Sequence, residues 1–392
     1  MSMRATITGA FDTRVGELPQ STCMSLHREA AAGALADAGL QASQIDGVIC
    51  AYSFTEPHLM LASVFCEYAG IHPDVCYAIQ AGGATGCIMV MQAAALVASG
   101  QCRHVLCVTG DNRLTGLSRD GAVAALSEVG HPQFERPYGI SVPASYALVA
   151  RRYMHEYGVT GEQLAAIAVE HRRHAGLHPN AHKRDPITID DVMRSRPIST
   201  PLRMLDCCLI SDGAAAVVVS APEAAADART PGVSILGAGQ GHTHEHIVAA
   251  PSLTDFGCKQ SSRIAFERAG VKPADIDVAQ IYDSFTITLL VELESIGFFA
   301  RGEAGPAAQA GELGLGGRLP CNTHGGLLSY GHSGAAGGMF HVVEGVRQLR
   351  GEAQARQVPG AELAFVHGDG GILSAHCSLV LGRDGGARSG VG

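Results

Sequence analysis

The sequence predicts an α/β fold made of two similar halves, because the same series of elements occurs twice along the chain. Each copy has an Ala-rich helical segment that ends at a glycine, a short apolar strand, a second helix opened by a glycine cluster, and a second strand. These segments lie at 27–38, 48–50, 83–99 and 104–111 in the first copy, and at 259–269, 278–281, 334–350 and 362–369 in the second. Strands that alternate with helices are typical of buried sheets with helices on their faces.

A segment without a counterpart separates the two copies. Residues 113–200 are rich in polar residues, His, Arg and Pro, and contain one clear helical pattern at 161–174. We interpret this segment as an inserted loop domain. The sequence therefore predicts an N-terminal half that this insertion interrupts and a C-terminal half that follows it, with boundaries at 1–112, 113–200, 201–230 and 231–392.

The composition excludes several classes of protein. The 392 residues are 46% hydrophobic and 17% charged, which is enough to bury a large core, and the low charged fraction favours a subunit interface. A net charge of -9 argues against a nucleic-acid-binding surface, which needs a basic face. No apolar run reaches the roughly 18–20 residues that span a bilayer, and the N-terminus has no signal-peptide pattern. We therefore expect a soluble cytoplasmic protein that binds neither nucleic acid nor membranes.

Cysteines and histidines give no recognisable metal site. None of the twelve cysteines forms a CxxC motif paired with a second CxxC or an HxxxH, so most should be reduced and buried. His242, His244 and His246 would share one face of a strand and could bind a metal, but we interpret them as a polar loop that lines a cavity. The four histidines between 171 and 182 have a near-helical spacing that Pro179 interrupts, and we interpret them as exposed or interface residues. We expect no bound metal.

Four motifs in order carry a resemblance to a known family. They are GGATG at 82–86, LDCCLISDGAAAVVVS at 205–220, DIDVAQIYDSF at 275–285 and NTHGGLLSYGHSGAAGG at 322–338. With them the chain resembles the thiolase superfamily over nearly its whole length, and most closely the lipid-transfer-protein/sterol-carrier branch. The resemblance implies a thiolase fold, a duplicated five-layer αβαβα sandwich that is usually a homodimer. It also implies that coenzyme A enters as part of an acyl-CoA substrate rather than as a tightly bound cofactor.

The chain departs from thiolases at both cysteine positions. Thiolases place a nucleophilic cysteine at a helix N-terminus, which lowers the thiol pKa, but the matching residue here is Gly83. The stretch 367–371, which matches the second thiolase cysteine, also has none. With Tyr282 and Tyr330 this pattern resembles the cysteine-less thiolase-like aldolases of bacterial steroid side-chain degradation. That resemblance implies cleavage of a β-hydroxyacyl-CoA to a ketone and a short acyl-CoA such as propionyl-CoA, and a small OB-fold partner with a zinc ribbon that completes a heterotetramer.

Retro-aldol chemistry needs proton transfer and a stabilised thioester oxygen, and a few residues of the motifs suit these tasks. We predict Tyr282 and Tyr330 as the proton-transfer groups. His332 either stabilises a tyrosine phenolate or donates a hydrogen bond to the thioester oxygen. Asp283 either orients a neighbour or caps a helix that begins at Ser284.

Two other functions stay open. Cys87 lies four residues after Gly83 and is a candidate displaced nucleophile for a thiolase or acyl-CoA acyltransferase, although a cysteine in a buried helix is usually inert. The loss of both cysteines also fits a non-catalytic subunit that binds acyl-CoA or lipid. In each case the backbone must approach the CoA thioester closely, which glycine permits, and the candidates for that approach are Gly83, Gly326, Gly334 and Gly371.

Overall fold

The computed structural model describes residues 5–118, 120–121, 129–225 and 229–384. The strands are β1 (Thr6–Asp12), β2 (Gly47–Ala51), β3 (Val75–Ile79), β4 (His104–Asn112), β5 (Pro197–Ser199), β6 (Leu202–Arg203), β7 (Asp212–Ser220), β8 (Val233–His242), β9 (Val278–Ile281), β10 (Leu363–Gly370) and β11 (Ala375–Arg383). The α-helices are α1 (Cys23–Ala38), α2 (Leu61–Ala69), α3 (Thr85–Ala98), α4 (Arg113–Gly116), α5 (Val142–Tyr157), α6 (Gly161–Gly176), α7 (Ile189–Arg194), α8 (Pro222–Ala225), α9 (Cys258–Ala269), α10 (Thr286–Ile296), α11 (Ala304–Gln309), α12 (Gly326–Ser329) and α13 (Ala336–Arg350).

The predicted duplication is present in the local structure. Helices α1 and α9 end at Gly39 and Gly270, whose φ angles of 74° and 70° lie in the left-handed region that glycine adopts without strain. Each helix leads into a short buried strand, β2 or β9. Helices α3 and α13 occupy the next equivalent positions, followed by β4 and β10. The two copies of the pattern are therefore two copies of one folding unit.

The strand pairings repeat as well. The described strands form a nine-stranded sheet in the order β3-β2-β4-β7-β1-β8-β11-β10-β9. In the first half β2 is parallel to β4, which is antiparallel to β7, which is antiparallel to β1. In the second half β9 is parallel to β10, and β11 lies antiparallel between β10 and β8. The halves join where β1 pairs with β8 through Thr6 with Ser234 and Ile7 with Val233.

Three hydrophobic clusters show how the layers stack. Residues on alternating positions of a strand face opposite sides of the sheet, and β4 follows this rule: Leu106 packs with helices α1 and α2, whereas Val105 packs with α3 and α13. In β10 Val366 faces the same two middle helices, and Phe365 faces α9 and α10 on the far side. Helices α3 and α13 are therefore sandwiched between the two halves of the sheet. The expected five-layer αβαβα arrangement of the thiolase fold is confirmed.

Glycines let the two middle helices approach each other. A Cβ atom at Gly86, in the first turn of α3, would lie 2.6 Å from the amide nitrogen of Met339 in α13. A Cβ at Gly338 would overlap the carbonyl oxygen of Gly83. Because these contacts are between backbones, the N-terminal ends of α3 and α13 are held side by side.

The segment between the halves is largely helical. Helices α5, α6 and α7 lie within 113–200, and α6 corresponds to the helix predicted at 161–174. The domain boundaries at 112, 200 and 230 stay predictions. Within the described part of the chain, no helix combines the length and the apolar character that crossing a membrane requires.

The contact between α3 and α13 makes a stability prediction. Gly86→Ala should lower the melting temperature, although Ala favours a helix over Gly by about 1 kcal/mol. The added carbon meets backbone that cannot rotate away, so we expect overpacking to cost about 1–3 kcal/mol. Thermal unfolding measures the difference. Gly316→Ala is the control, because a Cβ there meets nothing within 4 Å. Equal melting temperatures for the two variants would contradict the close helix approach.

Candidate active site

Several segments converge where the two middle helices begin. Tyr282 follows the last residue of β9, Gly83 precedes α3, and His332 lies in the loop before α13. Cys208 comes from the loop before β7, and Arg113 is the first residue of α4 after β4. Tyr282 and Arg113 are buried, whereas Cys208 and His332 are half-buried. The group is therefore open on the side of Cys208 and His332.

The Tyr282 ring fills the space beside Gly83. A Cβ atom built on Gly83 would overlap the Cζ carbon and the hydroxyl oxygen of Tyr282. Any side chain at position 83 would displace the tyrosine. Glycine is therefore required at this position for the phenol to lie at the N-terminal end of α3.

The Tyr282 hydroxyl is hydrogen-bonded to His332, with 2.9 Å between the hydroxyl oxygen and Nε2. A backbone hydrogen bond to Leu209 also acts on the His332 ring. The other ring nitrogen, Nδ1, lies 3.6 Å from the Sγ of Cys208. A neutral imidazole with its proton on Nδ1 leaves Nε2 free to accept the tyrosine proton.

Burial keeps both members of this pair neutral. It raises the pKa of the Tyr282 phenol well above its usual range, because the phenolate would lose its hydration, and Tyr52 and Cys208 act in the same direction. Burial also lowers the pKa of His332 to about 3, helped by the positive charge of Arg113. The resting group is thus a phenol beside a neutral imidazole. A role of His332 in stabilising a tyrosine phenolate during the reaction stays a prediction.

Arg113 is a candidate site residue that the sequence reasoning missed. Its guanidinium lies over the Phe54 ring, with 4.7 Å between Cζ and the ring centroid. Its charge acts on both Tyr282 and His332. Its Nε has no hydrogen-bond partner among the described residues. No motif marks this arginine, and only its place at the end of a central strand could have indicated it.

Asp283 caps a helix, but not the predicted one. The helix after it begins at Thr286, and the Asp283 carboxylate turns away from it. The carboxylate accepts a hydrogen bond of 2.7 Å from the Leu327 amide at the start of α12. It also lies 2.8 Å from Nδ1 of His171. The carboxylate therefore binds groups that are distant in sequence rather than the N-terminus of the next helix. In this way Asp283 anchors the loop that leads to His332.

Comparisons with known families agree with this architecture. The family model described as "Thiolase, N-terminal domain" matches residues 5–223, and the one described as "Thiolase C-terminal domain-like" matches residues 239–383. The chain belongs to the thiolase superfamily. Within the superfamily it falls in the lipid-transfer-protein/sterol-carrier-type branch.

Relatives of full length carry two kinds of activity in their names. A "Steroid side-chain-cleaving aldolase" of Thermomonospora curvata is 35% identical, with 97% of this chain and 98% of the relative covered. A "17-hydroxy-3-oxo-4-pregnene-20-carboxyl-CoA lyase" of Mycobacterium tuberculosis is also 35% identical, over 97% and 100% of the two chains. An "Acetyl-CoA acetyltransferase" of Methanothermobacter thermautotrophicus is 32% identical, over 94% and 98%. The solved structure of an "Ltp2-ChsH2(DUF35) aldolase" has a TM-score of 0.87 at 33% identity and covers 98% of this chain and 99% of its own.

Tyr330 lies apart from the Tyr282–His332 pair in this thiolase-superfamily chain. Its side chain is fully buried, and its hydroxyl donates a hydrogen bond of 2.5 Å to Asp12 at the end of β1. Arg347 binds the same carboxylate. Burial, with the Asp12 charge, raises the pKa of Tyr330 well above its usual range. The contacts tie β1 to the second half of the fold, and a catalytic role of Tyr330 stays a prediction.

The other predicted glycines have local structural reasons. Gly326, with φ 61°, makes room for the Asp283 carboxylate, and Gly371, with φ 70°, lies in the turn between β10 and β11. Gly334, with φ 72°, is beside the site, since a Cβ there would be 3.3 Å from Cδ of Arg113. Their contact with a CoA thioester stays a prediction, and Gly334 has the most suitable position.

Two cysteines are near the site, and they differ in access. Cys87 is fully buried inside the middle layer, and burial raises the pKa of its thiol. Cys208 is half-buried, with its Sγ 3.6 Å from Nδ1 of His332. Burial raises the pKa of Cys208 to about 12, so it is a thiol at neutral pH. If a displaced thiol exists, the geometry favours Cys208 over Cys87.

The interpretation of the histidines between 171 and 182 is wrong. His171, His174 and His178 are buried rather than exposed, because α6 packs against the loops that follow β9. His174 Nδ1, for example, bonds the carbonyl oxygen of Asn322 at 3.2 Å.

The alternative in which the histidines at 242–246 share one strand face is wrong. β8 ends at His242, so the three alternating histidines do not share one strand face. His244 is buried, and its Nε2 lies 3.0 Å from the carbonyl oxygen of Ile372. His246 Nδ1 lies 3.2 Å from the carbonyl oxygen of Val129. These backbone contacts make His244 and His246 packing groups of a loop, whereas His242 is exposed.

The contact between Gly83 and Tyr282 can be tested with a pair of substitutions. Gly83→Cys, which restores a thiol, should lower the melting temperature because its Cβ overlaps the tyrosine ring. We expect a cost of about 1–3 kcal/mol from overpacking. Adding Tyr282→Ala should recover part of this loss, although Tyr282→Ala alone is destabilising. Strictly additive effects in this double-mutant cycle, measured by thermal unfolding, would show that the two positions do not interact.

Proposed function

We propose that this chain is an acyl-CoA retro-aldolase, which cleaves a β-hydroxyacyl-CoA to a ketone and a shorter acyl-CoA such as propionyl-CoA without a covalent cysteine intermediate. The observation that carries the proposal is the Tyr282 phenol, which occupies the space beside Gly83 and bonds His332. Acyl transfer through the enzyme needs a nucleophile at that position. Retro-aldol cleavage needs only a group that moves protons. The relatives named as an aldolase and a lyase support this class of reaction.

The Tyr282–His332 pair can relay a proton while both groups start neutral. The tyrosine oxygen takes the proton of the substrate β-hydroxyl as its own proton passes to Nε2 of His332. The bond between the α- and β-carbons then breaks, and the β-carbon becomes the carbonyl carbon of a ketone. The electron pair of the broken bond stays on the α-carbon and forms the enolate of the thioester. The proton returns through Tyr282 to the α-carbon. The products balance the substrate, so neither water nor free CoA is consumed.

Arg113 is suited to stabilise the enolate. Its guanidinium is buried beside the proton relay and has no carboxylate within salt-bridge distance in the described residues. A positive charge in a site with little water interacts more strongly with a developing anion than it would in solution. The positive charge also keeps His332 neutral before the reaction. We propose that Arg113 faces the thioester oxygen.

The names of the relatives support a proposal for the substrate and the partners. We propose a steroid or similarly bulky side-chain CoA ester as substrate, and a small OB-fold partner of the DUF35 kind named with the related aldolase structure. A homodimer is supported by β3, which forms an edge of the sheet with its apolar side chains partly exposed. Unpaired apolar edge strands are prone to pair with a second chain. The partner would then complete a heterotetramer.

A thiolase or acyltransferase reaction is the second candidate, because Cys208 lies against His332 and some relatives are acetyltransferases. In that reaction Nδ1 of His332 would accept the thiol proton, which requires the other neutral tautomer, with the ring proton on Nε2. The raised pKa of Cys208 weighs against it, since a thiol is a far weaker nucleophile than a thiolate.

The assay that separates the two candidates leaves out free CoA. The protein, with and without a co-expressed OB-fold partner, is incubated with a steroid side-chain β-hydroxyacyl-CoA, and the products are followed by mass spectrometry. We expect a ketone and a shorter acyl-CoA, and a loss of about 100-fold or more in kcat for Tyr282→Phe, because the phenol moves the proton. Cys208→Ala is the control and should keep most of the activity.

Two results would contradict the retro-aldolase. One is product that forms only when free CoA and a β-ketoacyl-CoA are supplied and that is lost in Cys208→Ala. The other is tight binding of acyl-CoA with no turnover in the presence of the partner, which would indicate a binding subunit. Tyr330→Phe is measured in parallel, and we expect its main effect on stability.

The neutral pair predicts a flat pH profile. His332 gains a proton only near its pKa of about 3, and Tyr282 loses one only above the ordinary tyrosine range. Activity that needs both groups neutral should therefore vary little between about pH 5 and pH 9. A reaction through Cys208 would instead rise with pH, because the thiolate fraction grows toward a pKa of about 12. A tenfold rise in kcat per pH unit would contradict the relay.

A further inference from the structure

A buried group of metal-binding residues lies directly behind Tyr282. Glu292 comes from α10, His367 from β10 and His376 from β11, and all three side chains are inaccessible to solvent. Asp369 joins them, because it is the register partner of His376 in the β10–β11 hairpin. The carbonyl oxygen of His367 accepts a 3.0 Å hydrogen bond from the Tyr282 amide, so the group adjoins the candidate active site.

The distances within the group match those of a tetrahedral metal site. Nε2 of His367 is 3.2 Å from Nδ1 of His376 and 3.4 Å from Oε1 of Glu292. Nδ1 of His376 is 3.7 Å from Oε1 of Glu292 and 3.8 Å from Oδ1 of Asp369. Metal–ligand bonds of about 2.0–2.2 Å place the ligands of a tetrahedral site about 3.3–3.6 Å apart. Glu292, His367 and His376 are therefore close to the required spacing, whereas the Asp369 carboxylate would have to move toward them to become the fourth ligand.

The group has too few N–H donors for its hydrogen-bond acceptors. His376 Nε2 lies 3.0 Å from the carbonyl oxygen of Leu373, so Nε2 carries the proton and Nδ1 presents a lone pair. With both carboxyl groups ionised, at most one further proton, on Nε2 of His367, can point into the group. This proton faces Nδ1 of His376 and the carboxylate of Glu292. Among the described residues, neither oxygen of the Glu292 carboxylate has a hydrogen-bond partner, and Oδ1 of Asp369 has none either. Buried carboxylates without donors are strongly unfavourable. The group therefore needs either protons on its two carboxyl groups, whose pKa values burial raises, or a cation. The 3.7 Å between Oε1 of Glu292 and Nδ1 of His376 is too long for an O–H hydrogen bond, which favours the cation.

We propose that Glu292, His367, His376 and Asp369 bind one divalent first-row transition-metal ion, with Zn²⁺ as the best fit. Two imidazoles and two carboxylates in a tetrahedron suit zinc, whereas Mg²⁺ and Ca²⁺ require oxygen ligands and a larger coordination number. The ligands are themselves held in place, as metal ligands usually are. Ser378 bonds Nδ1 of His367 at 2.8 Å, and the Tyr146 hydroxyl donates to Oδ2 of Asp369 at 3.0 Å.

The ion would have a structural role. Four protein ligands leave no position for water or substrate, and the site is closed to solvent. The ion would join α10 to the hairpin of β10 and β11. Strand β10 pairs with β9 and accepts the Tyr282 amide, so the ion would fix the backbone from which the phenol projects.

Metal content tests the proposal directly. The full chain is expressed without its partner and without a histidine tag, in media supplemented with Zn²⁺, Mn²⁺ or Fe²⁺, and the metal is measured by inductively coupled plasma mass spectrometry. We expect about one ion per chain in the wild type and less than about 0.1 in Glu292→Gln. Glu294→Gln is the matched control, because Glu294 is a buried residue of the same helix that binds the amides of Gly302 and Ala304 instead. It should retain the metal.

A second measurement keeps the test valid if Glu292→Gln fails to fold. Wild-type protein is stripped with a chelator and titrated with Co²⁺, which gives intense visible absorption bands in a tetrahedral site. We also expect added Zn²⁺ to raise the melting temperature of the stripped protein by several degrees or more. Less than about 0.1 metal per chain in every medium, with no cobalt spectrum and no thermal shift, would overturn the site. Full metal content in a folded Glu292→Gln variant would overturn it equally.

Discussion

The backbone contact between α3 and α13 is the constraint on which the site depends. These helices form the middle layer between the two halves of the sheet, and Gly86 and Gly338 remove the side chains that would separate them. Their N-terminal ends therefore lie side by side, one beside Gly83 and the other after the His332 loop. The side chain of Tyr282, which follows β9, reaches this junction and contacts Gly83 and His332. A wider helix spacing would take the phenol out of reach of the imidazole.

Burial then determines the chemistry of the junction. The phenol and the imidazole each resist charging because they are removed from water, so they form a hydrogen-bonded neutral pair rather than an ion pair. The charge of Arg113 acts on both groups; it disfavours protonation of His332 and favours an anion nearby. Such a site can shuttle a proton and stabilise an enolate, but its thiols are held protonated. The same physical effect that favours proton transfer thus disfavours covalent catalysis.

The sequence predicts the elements of this fold well because each element repeats and has clear local signals, such as Gly39 and Gly270 at the ends of α1 and α9. It also indicates Tyr282, His332 and Gly83 individually, through motifs. It does not show that the tyrosine ring occupies the space beside Gly83, because that contact joins residues about 200 positions apart. The sequence left open whether Asp283 orients a neighbour or caps the next helix, for the same reason, since distant groups hold its carboxylate. Arg113 lies in no motif, and Glu292 is one of two acids in a largely apolar helix, with no local sign of its partners.

The duplication makes each half of the chain a reference for the other. Asp111 and Asp369 end equivalent strands, β4 and β10, yet their surroundings differ. Asp111 accepts hydrogen bonds from the Phe54 amide at 2.6 Å and from the Ser53 hydroxyl at 3.1 Å, so its own half supplies the donors it needs. Asp369 has an oxygen without a donor and two histidines nearby instead. Asp111 therefore holds a loop in place, whereas Asp369 has neighbours of the kind that bind metals. The two halves share a backbone fold, but equivalent positions in them have different tasks.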